Sequence, residues 1–446
     1  MEYNTDLFVE HLRGMVQIPT VSSADPEKMD TPAFLKLHDY LEKTYPLVHK
    51  AMTKEVVGRA GLLYHMKGTG KSKSLPLMLI AHLDVVPEGD LSLWKHPPFS
   101  GEVADGFVWG RGSTDSKCNI QAYMDALELL LADGFKPDYD LYFGFGYNEE
   151  IMGGPEPAAQ LIADVLKKRG VQLGCLIDEC GGIQKTADGK KYGFIYTCEK
   201  GYADFEFLKQ DSGGHSAIPT PHSALGEVCK AACILEDNPM PVKLTDIAVQ
   251  QLEASAPFLT DPEIAKLCSD VRGNWDKLRP LLEADKIHNA LIRTTTAVTM
   301  AQGSQQANVM PEKAWIIANN RMLPGQTLDD LWEHFRNILP ETISIRLVKG
   351  SNPPPVQSVD TPAYKLIESI VREQHNVPLI PCMLYGGTDS RYYCDLCPSR
   401  SVYRMTGLQW DPRWDGISHK VNERIPCDVL ADNVDFYVRL LQRYGE

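Results

Sequence analysis

The chain reads as an α/β protein: a catalytic domain on a mainly parallel sheet, interrupted by a smaller α+β domain of ferredoxin-like order. Three observations predict this. Short, nearly continuous apolar runs, Leu75 to His82 (LPLMLIAH), Leu141 to Tyr147 (LYFGFGY) and Leu173 to Ile177 (LGCLI), alternate with stretches of helical periodicity. Such runs suit strands covered on both faces. From Gly201 the order changes to strand, helix, strand, strand, helix, strand, and after Asn352-Pro-Pro-Pro the α/β pattern resumes. The second domain is therefore an insertion in the first.

The elements follow in order. Asp105-Gly106 is a hairpin signal between Ser100-Gly-Glu-Val and Phe107-Val-Trp. Ile120, Tyr123, Met124, Leu127, Leu130 and Leu131 recur at helical spacing, and Glu156 to Lys168 reads as a second amphipathic helix closed by Gly170. In the inserted domain, here called the lid, strands are expected at Ala203 to Leu208, Thr294 to Met300, Ala314 to Asn320 and Ile343 to Val348, with helices at Ser223 to Leu235 and Leu328 to Ile338. Residues 239–287 are polar and helical in character but have no place in that pattern. Ala363 to Gln374 reads as a helix. The expected domains are 1–200 with 353–446 for catalysis and 201–352 for the lid.

A chain of 446 residues suggests two or three domains and buries a core without disulfide or metal staples, so a metal would be catalytic. Lys and Arg number 45 against 59 Asp and Glu, a formal charge of −14. That balance, with no basic block, argues against nucleic-acid and membrane partners. MEYNTDLFVEHLRGM has no leader-like composition, and no apolar run approaches the roughly 18 residues of a spanning helix. The expectation is a soluble, cytoplasmic protein. The 11 cysteines fit reduced thiols, with Cys394 and Cys397 as two ordinary loop thiols rather than a metal pair. Lys67 to Ser72 (KGTGKS) imitates a phosphate loop, but His65 replaces the leading glycine and a strand follows it, so it reads as a solvated turn.

The chemistry lies at the strand ends. The first buried run ends in His82-Leu83-Asp84, the second in Glu149-Glu150 and the third in Asp178-Glu179, while Asp115 lies in a turn before a helix. Ligands of open α/β sheets bind at the carboxyl ends of the strands. That many acids in one crevice repel one another unless a cation is present. Residues two apart on a strand share a face, so Asp84 is expected to orient the far nitrogen of His82. Adjacent Glu149 and Glu150 diverge, leaving one to bind metal and the other to act as base.

HLDVVP (His82 to Pro87), Trp94, Pro97, Pro98, Phe99 and Gly101, GRGSTDSK (Gly110 to Lys117), NEE…GG (Asn148 to Gly154), DECGG (Asp178 to Gly182), SGGHSAIP (Ser212 to Pro219), RMLPGQ (Arg321 to Gln326), GGTDSRYY (Gly386 to Tyr393) and SHKVNERI (Ser418 to Ile425) run in order through the chain. In these the chain resembles the M20 family of co-catalytic metallopeptidases, in the branch of carboxypeptidase S and the N-acyl amino acid hydrolases. The resemblance implies two zinc ions bridged by Asp115, one held by Glu150 and His419 and the other by His82 and Asp178. It makes Glu149 the base and puts a cis peptide after Asp115, while Asp84 keeps the supporting role that its spacing from His82 gives it. Imidazole and carboxylate ligands suit zinc independently, and cobalt or manganese would serve too. It also implies that His215 stabilises the oxyanion, in relatives from a neighbouring subunit's lid, so that the protein is a homodimer through that domain. Arg321 would read a carboxylate, with Asn289, Gly386 and Gly387 assisting. Two departures from the family are Cys180, where Gly is frequent, and Lys420, where Gly commonly follows the histidine.

The activity so implied is hydrolysis of an amide next to a free α-carboxylate, in a small peptide or an N-acyl amino acid, by a metal-activated water. A dipeptidase or aminopeptidase-like hydrolase reads the same chemistry with another pocket, and a catalytically silent amino-acid-binding homologue is the other alternative. A serine hydrolase would need a G-x-S-x-G elbow, and none occurs.

Overall fold

The computed structural model describes residues 3–151, 154, 156–414 and 416–446. Of the NEE…GG motif, Met152 and Gly153 lie outside the described residues. The chain forms two compact units, one from Met1–Thr197, Gln357–Pro381 and Thr388–Glu446, the other from Cys198–Val356 with Cys382–Gly387.

The main sheet of the first unit uses β1 (Thr53–Val57), β2 (Gly61–Met66), β3 (Leu77–His82), β4 (Leu141–Gly146), β5 (Cys175–Asp178), β6 (Gly182–Lys185) and β7 (Lys191–Glu199). In the first unit β4, β3, β5 and the later Val402–Arg404 strand lie side by side and parallel. Antiparallel strands flank this centre, β2 and β1 on one side, β7 and β6 on the other. Every residue of β3 and β4 is buried, which is why their sequences are continuous apolar runs rather than alternating ones. Gly144 lets the two strands approach, since a Cβ there would stand 2.5 Å from Met78 Cε. The Lys117–Ala132 helix is buried on nearly every side between the Thr5–Val16 and Leu430–Arg443 helices, with Tyr123 edge-on to Tyr437 at 4.6 Å. The Asp105-Gly106 hairpin is present, both residues at positive φ as a tight hairpin turn requires.

In the second unit β8 (Gly201–Gln210), β9 (Thr295–Gln302), β10 (Lys313–Met322) and β11 (Ser344–Ser351) form an antiparallel sheet in the order β9-β10-β8-β11. Buried positions alternate along β10, because only one face is covered. The cover is two helices, Ala224–Asp237 and Leu328–Ile338, packed through Phe205, Phe207, Val228, Leu331 and Phe335. A capping box between Thr327 and Asp330 starts the second helix. Residues 239–287 prove to be a helical cluster with its own core of Ile247, Leu252, Val271, Leu278 and Leu282. The side-chain caps Thr245, Asp261 and Asp285 open three of its short helices.

Among the described residues no helix is long and apolar enough to cross a membrane, and the cysteines are all free.

Candidate metal centre

Strand β3 ends on His82, and the chain continues through the buried Asp84. Strand β4 ends at Gly146 and leads into the turn of Glu149 and Glu150; β5 ends at Asp178, followed by Glu179. The Gly110–Asp115 turn feeds the Lys117–Ala132 helix through a cis Asp115–Ser116 peptide. All of these groups belong to the first unit.

Asp115 occupies the middle of the cluster. Its Oδ1 lies 3.0 Å from His82 Nε2 and its Oδ2 3.2 Å from His419 Nε2. Glu150 Oε2 meets His419 Nε2 at 3.0 Å, and Glu179 Oε2 lies 3.4 Å from His82 Nε2. Candidate ligand atoms of His82, Asp115 and Glu150 fall within 4.8 Å of one another, as do those of His82, Glu149 and Glu179. The adjacent glutamates do diverge, Glu150 toward His419 and Glu149 into the group with His82 and Glu179.

Supporting contacts differ in part from the sequence expectation. His82 Nδ1 faces the backbone carbonyl of Asp84 at 2.8 Å, nearer than the carboxylate oxygen at 3.4 Å. The carbonyl thus selects the tautomer, leaving Nε2 for the cluster. The Asp84 carboxylate instead accepts the Glu149 and Glu150 amides at 3.1 and 3.2 Å, and so shapes the glutamate turn. Asp178, expected as a ligand, directs its oxygens elsewhere: Oδ1 accepts the Glu179 amide at 2.8 Å and Oδ2 the Ser390 amide at 3.0 Å. Successive side chains diverge here as they do at the glutamates, so Glu179 is the acid that faces His82.

Protonation states follow from crowding. Burial opposes the charge on His82, but Glu179, Asp115 and Asp84 overcome it and hold the ring well above its usual pKa. Contacts to Asp115 and Glu150 push His419 up to about 10. Burial, then Glu179, Asp389 and Glu150, raise Glu149 well above the carboxylate range despite His82; burial and Asp115 lift Glu179 to about 8. Asp115 alone is driven down, its burial outweighed by hydrogen bonds from His419 and His82. Without a cation the cluster thus balances itself by holding protons on His82, His419, Glu149 and Glu179. Glu150 Oε1 is buried with no hydrogen-bond partner. Imidazole nitrogen and carboxylate oxygen, whose protons a bound cation would displace, are a donor set that fits divalent cations of the zinc type.

Both family departures have a local reading. Cys180 stands at φ 69°, a conformation that favours glycine, and burial pushes its thiol well up, which keeps it protonated. His419 is itself left-handed, at φ 64°, while Lys420 does not require positive φ and so tolerates a side chain.

The remaining expected residues belong to the second unit. His215 lies on a two-residue strand paired with Val309–Met310 and is exposed, with Nδ1 accepting the Ala217 amide at 3.0 Å. Arg321 is on β10, its guanidinium 4.7 Å over the Tyr202 ring and Nε bonded to Asn319 Oδ1. Asn289 Oδ1 accepts from Arg293 Nε at 3.1 Å; the Arg293 carbonyl accepts from Lys200 Nζ at 2.8 Å; and Lys200 lies 5.8 Å over the Tyr385 ring, beside Gly386 and Gly387. Burial, then Arg321, pulls Lys200 down to about 7. Lys200 and Arg293 thus lie near Asn289 and Tyr385, Arg293 being paired with Glu283 at 2.6 Å, and Arg321 is close enough to Lys200 to lower it. Sequence reasoning named Glu179 at the strand end without giving it a role, and passed over Lys200 and a buried pair, Arg111 with Glu423. The first was legible as a neighbour of Asp178; the others carried no signal beyond membership of the matched motifs or a strand start.

Comparison with known proteins identifies the family. The sequence profile of "Peptidase family M20/M25/M40" matches residues 78–443. The chain is 33% identical over 455 residues to the N-fatty-acyl-amino acid synthase/hydrolase PM20D1 of Bos taurus, covering 97% of this chain and 87% of that protein. It is 32% identical over 494 residues to carboxypeptidase S of Saccharomyces cerevisiae, covering 98% and 84%. Among solved structures, the M20 family metallo-carboxypeptidase Sso-CP2 of Sulfolobus solfataricus matches with a TM-score of 0.72 at 16% identity, covering 98% of this chain and 99% of that one.

Proposed function

The chain belongs to peptidase family M20/M25/M40 and is a hydrolytic enzyme, and on that premise we propose that it uses two zinc ions to cleave an amide next to a free α-carboxylate. The substrate would be an N-acyl amino acid or a C-terminal peptide bond, the classes named in the PM20D1 and carboxypeptidase S relatives. The observation that carries this reading is the two-sided placement of Asp115, one oxygen toward His82 and the other toward His419.

His82 and Glu179 would hold one ion, Glu150 and His419 the other, with Asp115 shared; Asp178 positions Glu179 through its amide. When bound, the ions supply Lewis acidity and a water that ionises near neutral pH. The chain's own groups do the rest. Glu149 takes the water proton on its carboxylate and returns it to the leaving nitrogen, and Asp84 keeps it in place by fixing its backbone. His215 donates to the developing oxyanion. Arg321, with Lys200 near it, reads the substrate carboxylate, and Asn289 and the Gly386-Gly387 backbone complete that receptor. The half-exposed edge strand β9, with Met300 exposed, supports a homodimer through the second unit. Free thiols throughout support a reducing, cytoplasmic home.

The test compares an N-acyl amino acid with its C-terminal amide. A charge-assisted contact contributes about 1.5–3 kcal/mol, so the wild type should prefer the acid and Arg321→Ala should lose roughly tenfold to 150-fold in kcat/KM on the acid alone. Equal turnover of acid and amide by the wild type would favour an aminopeptidase-like hydrolase instead.

A further inference from the structure

Glu423 is fully buried, carries a carboxylate, and belongs to none of the groups assigned above. It is surrounded by donors. Oε1 accepts the amides of Gly112 (3.0 Å), Thr114 (3.0 Å) and Asp115 (3.3 Å) and the Thr114 hydroxyl (2.8 Å). Oε2 accepts Arg111 Nη1 at 2.7 Å, and the Glu423 carbonyl takes the Gly110 amide at 2.9 Å. The Gly110–Asp115 turn is therefore wrapped around one carboxylate some 300 residues away in sequence. Arg111, also buried, extends the arrangement: Nη1 donates to the Lys420 carbonyl at 3.1 Å and Nη2 to the Pro87 carbonyl at 3.2 Å. Pro87 closes the segment that carries His82 and Asp84, and Lys420 directly follows His419.

We propose that Arg111 and Glu423 form a clamp that holds the loops of His82, Asp115 and His419 in register for metal capture. The two are positioning residues. An ion pair taken out of water gains little stability by itself. A planar guanidinium fork and a carboxylate ringed by amides do, however, fix distances between three loops, of which the pairing of Arg424–Pro426 with Phe107–Trp109 joins only the Asp115 and His419 segments and stops short of the ligands themselves. Charged partners behind metal ligands commonly contribute tenfold to 100-fold in metal affinity. The proposal rests on the reading that these loops hold divalent ions.

The experiment titrates the chelated full-length protein with cobalt(II) and zinc, following calorimetric heats and the cobalt absorption spectrum, with circular dichroism and apo-protein melting alongside. Glu423→Gln retains the shape but offers an amide nitrogen to donors, and should bind cobalt about tenfold to 100-fold more weakly with an altered spectrum. Arg111→Lys keeps the charge opposite Glu423 but loses the fork to Lys420 and Pro87; it should weaken binding in the same direction while apo melting changes little, and it decides the matter if Glu423→Gln does not fold. Wild-type affinity and spectrum in both folded variants would overturn the clamp and leave the two-metal reading standing. A wild type that takes up no metal would overturn both.

Discussion

Asp84→Asn is the substitution whose consequence can be worked most closely from the structure. The carboxylate is fully buried and each oxygen accepts one backbone amide, Glu149 at 3.1 Å and Glu150 at 3.2 Å. An asparagine keeps one of these bonds. Its NH2 meets the other amide donor to donor, which loses a charge-assisted bond of about 1.5–3 kcal/mol and strands a buried donor at about 1–3 kcal/mol. The native glutamate turn is thus disfavoured by roughly 2.5–6 kcal/mol. His82 keeps its nearer Nδ1 partner, the backbone carbonyl, and loses only the charge of the carboxylate 3.4 Å away that helps hold its proton. The strain is relieved where the turn yields, displacing Glu149 and Glu150 together. The expected result is a kcat lower by about 10²-fold and metal affinity weaker by roughly tenfold or more, with the Lys117–Ala132 core intact by circular dichroism. Steady-state kinetics and calorimetric titration measure both. Wild-type kcat and metal affinity in a folded Asp84→Asn protein would refute the assignment of Asp84 as the support of the glutamate turn.

Glu149→Gln should lose kcat by about 10²-fold or more while keeping its metal, whereas Glu150→Gln should lose metal as well; near-normal kcat in Glu149→Gln would remove it as the base. If His215 serves a neighbouring subunit, mixing inactive Glu149→Gln chains with inactive His215→Ala chains should restore part of the activity, and a fully active monomer in light scattering would contradict this. Lys200 gives a pH signature. Burial, then Arg321, pulls it from 10.5 to about 7 in the folded chain, so the unfolded chain binds the extra proton between those values and the penalty of burying Lys200, full below pH 7, fades as pH rises toward 10.5. Lys200→Met should therefore stabilise the protein by about 1–4 kcal/mol below pH 7 and have little effect near pH 10; a pH-independent effect on denaturant midpoints would rule out this origin.

Much of this was legible because buried parallel strands write themselves as unbroken apolar runs. Where β3, β4 and β5 stop, the first polar residues must lie at their carboxyl ends, which is where His82, Glu149, Glu150, Asp178 and Glu179 gather. The second unit was legible from its element order, with strands at Ala203 to Leu208, Thr294 to Met300, Ala314 to Asn320 and Ile343 to Val348 and helices at Ser223 to Leu235 and Leu328 to Ile338. Parity at a strand end was not legible: whether Asp178 or Glu179 faces His82 depends on how the chain leaves β5, and that is set by the Ser390 amide over 200 residues onward. Glu423 was hidden for a like reason, since its acceptors' partners are backbone amides of a distant turn, which no side-chain pattern encodes. The helical cluster in 239–287 lacked an amphipathic period long enough to assign, its helices being capped and short.

The most direct test of the proposed two-metal centre is the ion content of purified wild-type and Asp115→Ala protein, measured by inductively coupled plasma spectrometry after equilibration with zinc. Because Asp115 faces both His82 and His419, the wild type should hold two ions per chain and Asp115→Ala should retain neither fully, while His419→Ala keeps the ion on the His82 side. One ion or none in the active wild type, or two in Asp115→Ala, would contradict the account.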